Sequence, residues 1–120
     1  MANEITVTAT LTLDNGDLQF DKSITKSVTM TGDAYQHGIQ TIGTSEETVT
    51  IVADIGTYGY LLLRNLGTDT ADYIEFSTIS GQLTGKLFAG EIALFRCDAN
   101  LLRAKATDAA MDLEFWLIEH

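Results

Sequence analysis

Two histidines and one cysteine are the chain's side chains whose ordinary titration lies nearest neutral pH, poor material for catalysis. His37 lies in a mixed, polar, loop-like stretch and His120 is the last residue. Neither has a recognisable serine or aspartate partner at the spacing of a known catalytic motif, so both are read as exposed residues. Cys97 is alone, which excludes an intrachain disulfide and a site built on cysteine pairs. Without a base beside it, it is read as a small core residue. Acids gather at turns: Asp14 with Asp17, Glu46 with Glu47, Asp69 with Asp72. Such oxygens suit calcium, but no segment carries the twelve-residue calcium-loop pattern, and turn chemistry alone accounts for Asp14-Asn15-Gly16-Asp17. With 17 acids, some carboxylate pair across a cleft always exists, so a glycosidase reading has no specific support. In Gly81-Gln82-Leu83-Thr84-Gly85-Lys86 the glycines stand too close for a phosphate loop, and Leu87 follows the lysine. The expectation is no catalytic residue, no cofactor and no metal, hence not an enzyme.

The remaining candidates are contact surfaces. Tyr35 and Tyr58 fall in loop-like stretches and are the aromatics best placed to touch a partner. Tyr60, Phe76, Phe95 and Phe115 sit in apolar runs and are assigned to the core. Thr6, Thr8, Thr10 and Thr12 form a ladder along one strand face, either a docking face or an ordinary solvent face. Seven basic residues face 17 acidic ones, a net charge of -10. That repels phosphate backbones and anionic membranes and suits a partner with a basic patch. An apolar run such as Tyr60–Leu63 is far short of the roughly 20 residues of a membrane helix. The opening Met-Ala-Asn-Glu-Ile has no basic or apolar leader region, so synthesis in a cytoplasm without export is expected.

The elements that must position these residues are strands. At 120 residues, 45% hydrophobic and 20% charged, the chain has the balance of one globular domain, read as residues 1–120. Ile5, Val7, Ala9, Leu11 and Leu13 alternate with threonines, a half-buried strand. Asn15-Gly16 then predicts a two-residue hairpin loop that pairs Leu13 with Leu18 and Leu11 with Phe20. Beyond it a broken strand turns Ile24, Val28 and Met30 inward and Lys22, Lys26 and Thr29 outward. Thr31–Ala34 is a turn, 35–44 a short edge strand with loops, and Thr48–Asp54 a strand. Tyr60–Arg64 is a central strand buried on both sides. Further strands are expected over Ala71–Thr78, Leu83–Phe88, Ile92–Cys97 and Leu101–Thr107. At the C-terminus a helical stripe (Ala109, Ala110, Leu113, Trp116, Leu117) competes with a strand face (Met111, Leu113, Phe115, Leu117), and aromatic content favours the strand. Turns recur at the 8–12-residue spacing of all-β sandwiches and barrels.

The run Gly56-Thr57-Tyr58-Gly59-Tyr60-Leu61-Leu62-Leu63-Arg64-Asn65-Leu66-Gly67 resembles a pattern in small virion proteins of tailed bacteriophages. There, a glycine turn leads an apolar strand that ends in Arg/Lys-Asn-Leu. The acidic strand Asp69–Phe76, the turn Leu87-Phe88-Ala89-Gly90-Glu91 and Leu101-Leu102-Arg103-Ala104-Lys105-Ala106 are similar too. The likeness spans roughly residues 45–118, and the opening hairpin resembles the start of the same group. It implies a jelly-roll-like antiparallel β-sandwich in the virion. The implied role is a non-enzymatic capsid decoration or cement protein that binds the major capsid protein or other virion proteins. A homo-oligomer, a trimer by preference, goes with that role. The alternative is a tail or fibre component that binds a host receptor or glycan.

Overall fold

The structure is a computed structural model that describes residues 3–120. Met1 and Ala2, part of the stretch read for a leader, lie outside it. Every regular element among the described residues is a strand, and every pairing is antiparallel. The chain divides into two units, Met1–Thr31 and Gly32–His120, and the division falls in the turn expected at Thr31–Ala34.

The first unit is a hairpin of β1 (Ile5–Asn15) and β2 (Leu18–Val28). Its register differs from the expected one. Asn15 pairs with Leu18, Leu13 with Phe20 and Leu11 with Lys22. Gly16 has φ +59° while Asn15 does not enter the positive region. Gly16 is therefore the first central residue of the loop, as in a type II′ turn, and Asp17 the second. This register sets Gln19, not Asp17, opposite Asp14, and Gln19 Nε2 donates to Asp14 Oδ1 at 3.2 Å. The shift is by two residues, so no side chain changes face. Strand β2 is unbroken, and period 2 then carries Lys22 and Lys26 onto the face of Ile24 and Val28. The expectation that these lysines point the other way is corrected. So is the half-buried state of the stripe, since Leu11, Leu13, Leu18, Phe20 and Ile24 are all exposed.

The second unit is a sandwich of two four-stranded sheets. β3 (Tyr35–Ile42), β10 (Met111–Glu119), β5 (Tyr58–Asn65) and β8 (Ile92–Arg96) form one, in that order. β4 (Glu47–Thr48), β9 (Arg103–Ala106), β6 (Tyr73–Ser77) and β7 (Gly85–Phe88) form the other. Consecutive strands cross between sheets except β6 and β7, which are neighbours. This is a jelly-roll-like order. The core lies between the sheets. Ile42, Leu61, Leu63, Leu113, Phe115 and Leu117 come from the first, and Ile74, Leu87, Ala104 and Ala106 from the second. The C-terminal ambiguity resolves to a strand whose buried face is Met111, Leu113, Phe115 and Leu117.

The expected strand Thr48–Asp54 is mostly irregular: β4 is Glu47–Thr48, so Thr48 alone of that stretch is in regular pairing. Side chains substitute for the ladder. Thr50 N donates to Gln40 Oε1 and Val52 N to Gln36 Oε1, both at 2.8 Å. The two amide groups donate in return to the carbonyls of Thr48 and Thr50. Glutamines four positions apart on β3 thus hold an extended segment whose backbone also bonds at Val49, where N–H donates to the Leu102 carbonyl at 2.8 Å.

Candidate functional site

An antiparallel sheet with one face on a core ordinarily turns polar side chains to water on the other. The sheet β4-β9-β6-β7 follows this rule. Its register sets Lys105, Glu75 and Lys86 in one outward row and Arg103 beside Thr48 in the next. The Lys86 ammonium lies over the Tyr73 ring, 4.3 Å from its centre, and Phe88, paired with Tyr73, stays exposed.

The sheet β3-β10-β5-β8 departs from the rule. Three adjacent strands carry continuous apolar runs: Phe115-Trp116-Leu117-Ile118, Tyr60-Leu61-Leu62-Leu63 and Ile92-Ala93-Leu94-Phe95. A continuous run makes both faces of a strand apolar. Register aligns the outward residues into rows. One row is Ile39, Glu114, Arg64, Ile92; the next is His37, Trp116, Leu62, Leu94. Beyond these lie Ile118 beside Tyr35, and Tyr60 beside Arg96. Neighbours in a row stand about 5 Å apart, so the side chains form one surface. Ile39 is 55% exposed, Ile92 66% and Leu94 38%, while Leu62, Trp116 and Ile118 are half-buried between them.

Polar contacts stiffen this face. His37 Nε2 meets Glu114 Oε2 at 2.8 Å, and its ring stacks on Trp116 with centroids 4.9 Å apart. Arg96 Nη2 contacts His120 Nδ1 at 2.7 Å, and the Arg96 guanidinium lies over the Tyr60 ring. Glu119 closes one edge. Its Oε1 accepts from Asp33 N–H at 2.9 Å and its Oε2 from Gly56 N–H at 2.6 Å. These two N–H groups, Asp33's first, hold the carboxyl below its ordinary value of 4.5.

The residues singled out from the sequence are dispersed. Tyr35 stands on this face, 74% exposed, at the edge strand. Tyr58 is half-buried against the core, and burial raises its phenol pKa. Thr6, Thr8, Thr10 and Thr12 line the polar face of the hairpin. Three of them are engaged there: Thr8 with Thr25 at 3.1 Å, Thr10 with Ser23 at 3.0 Å and Thr12 with Asp21 at 3.2 Å.

Three readings change. His37 is not in a loop but on β3, in a ring stack. Tyr60 belongs to the outer face rather than the core. The strand at Tyr60–Arg64 is central, yet only Leu61 and Leu63 are fully buried; Arg64 is exposed, and no layer of this sandwich covers Leu62. The surface the sequence reading missed had a signal: three apolar runs of strand length, each needing cover on two sides.

Cys97 is buried in the core cluster. Burial, with the neighbouring Asp98 charge, pushes its thiol up to about 11, which opposes thiolate chemistry. Among the described residues no group of three or more histidine, cysteine or acidic side chains is arranged to hold a metal ion. Asp72 is buried and accepts from the Thr107 hydroxyl and, at 2.9 Å, from Asp108 N–H. Asp69 accepts from Ala71 N–H at 3.0 Å, so this acidic pair serves its own turns. Comparison of the chain with protein-family models, with curated proteins and with solved structures gives no match.

Proposed function

We propose that the protein is a non-enzymatic virion structural protein that docks on coat subunits as a capsid decoration or cement protein. The observation that carries this reading is the apolar outer face of the β3-β10-β5-β8 sheet, set on a sandwich whose other outer face is charged. Contiguous exposed apolar surface of this kind marks a protein interface. A sheet face with a few polar groups, here Glu114 held by His37 and Arg64 beside it in the row, suits a broad contact with another folded protein. The resemblance of residues 45–118 to small phage virion proteins supports the same reading.

Docking through this face predicts that Ile92→Asp with Leu94→Asp abolishes association with particles or coat subunits. The variant should melt like the parent, because both side chains are exposed. Retained association would overturn the reading. The copy number of the chain relative to the major coat protein, by quantitative mass spectrometry of purified particles, separates the roles. A ratio near unity or a simple fraction of it fits decoration of the lattice. A handful of copies fits the alternative, a tail or fibre component that binds a host receptor, for which exposed Tyr35 is the residue to test.

A further inference from the structure

The hairpin unit has a second unpartnered surface, of different chemistry. One of its faces is entirely polar and bonded across the strands. The other pairs Val7 with Lys26, Ala9 with Ile24, Leu11 with Lys22 and Leu13 with Phe20, with Leu18 at the tip. Leu11, Leu13, Leu18, Phe20 and Ile24 are between 38% and 67% exposed, which leaves on the order of 500 Å² of apolar surface in water. A two-stranded hairpin with no covering layer is marginal in water. The eleven-residue strands, about 35 Å long, are joined by their backbone ladder and the polar-face hydrogen bonds, and burial of the apolar stripe is what this pairing lacks. Such a stripe calls for an apolar cover.

Charge selects the occupant. The stripe carries Lys22 and Lys26 and no acid, in a chain of net charge -10. Residues 32–120 carry 13 acids against five bases. Exposed apolar side chains stand near those acids in the sequence, Val52 near Asp54 and Phe88 near Glu91. A second copy of the chain therefore offers both apolar cover and the counter-charge. Area points to reciprocity. One stripe on one receiving surface buries about 1,000 Å² in total, at the weak end, whereas two exchanged stripes bury about 2,000 Å², as stable interfaces do.

We propose that the hairpin is an exchange arm: each copy lays its apolar, lysine-bearing stripe on the acidic sandwich of another copy and receives an arm in return.

The test uses the purified full chain alone, so its result does not depend on the coat-docking reading. Light scattering coupled to size exclusion should show a closed oligomer at low salt. Leu13→Asp with Phe20→Asp should give a monomer with unchanged Trp116 fluorescence and unchanged melting of the sandwich. Lys22→Glu with Lys26→Glu should weaken assembly about tenfold or more and remove its salt dependence. A monomeric parent protein overturns the proposal, as does a Leu13/Phe20 variant that assembles like the parent. A monomer that binds coat subunits through the stripe overturns it too, because the occupant is then the coat.

Discussion

Asn65 is fully buried in a strand of leucines, and both ends of its side chain are used. Nδ2 donates to the Leu87 carbonyl at 2.9 Å, and Oδ1 accepts from Gly67 N–H at 2.7 Å. The residue fastens the end of β5 to β7 and shapes the turn after it. Asn65→Leu keeps the volume and strands two buried polar groups. It should cost about 2–4 kcal/mol, read as a shift in the denaturation midpoint. Glu119 works through charge. A carboxyl held below its ordinary value contributes stability that is complete above that value and is lost as pH falls through the folded one. Glu119 and Asp72, with ordinary values of 4.5 and 3.8 and both depressed, should make stability fall as pH drops below about 4.5. Glu119→Gln should flatten that fall in acid-unfolding curves. Cys97, with its thiol raised to about 11, should resist iodoacetamide at neutral pH until the chain is unfolded.

At the scale of elements, the edge strand β3 does two jobs. Its outward residues Tyr35, His37 and Ile39 build the apolar face, while Gln36 and Gln40 hold the segment 48–52. Gln40→Ala frees Thr50 N–H, and this segment should exchange its amide hydrogens faster while the central strands do not. The stability cost should be about 1 kcal/mol. Gly38, between these positions, faces Phe115 across the strand pair. A Cβ there would come within 2.7 Å of the ring's Cζ. Gly38→Val forces the ring out of the core and should destabilise by about 1–3 kcal/mol. In sequence the mixed stretch 35–44 reads as a short edge strand with loops, and the glycine and glutamines of β3 are explained only by what they touch in the fold.

The whole molecule distributes polarity unevenly. One outer sheet face is charged, the opposite one apolar, and the net charge of -10 is carried mostly by turns and edges. If docking draws on that charge against a basic coat surface, association should weaken as salt rises, since screening shortens to about 8 Å near 0.15 M. Docking through the apolar face alone would be insensitive to salt. A titration of particle binding against ionic strength distinguishes the two, and the Ile92/Leu94 variant separates the apolar share.

Local pattern in the sequence determined the strand content, most strand positions and the face of many side chains, because period 2 is set by the backbone pleat; Lys22, Lys26 and Tyr60 lie on the face opposite to the one expected. It also placed the hairpin turn and the buried face Met111, Leu113, Phe115, Leu117. The hairpin register came out two residues away, because Asn15-Gly16 and Gly16-Asp17 are both acceptable loop pairs and only the fold chooses. The 48–54 segment looked like a strand because its composition is that of one; its partners are the side chains of Gln40 and Gln36, 10 and 16 positions from the amides they bind, which no local pattern reveals. Strand order and the fate of each apolar face belong to tertiary structure. Three apolar runs announce that two faces need cover, but only the sheet order β3-β10-β5-β8 shows that the runs are neighbours and that one of those faces is left open. A sequence records what each strand can bury, and the packing of distant strands decides which of those surfaces remain for a partner.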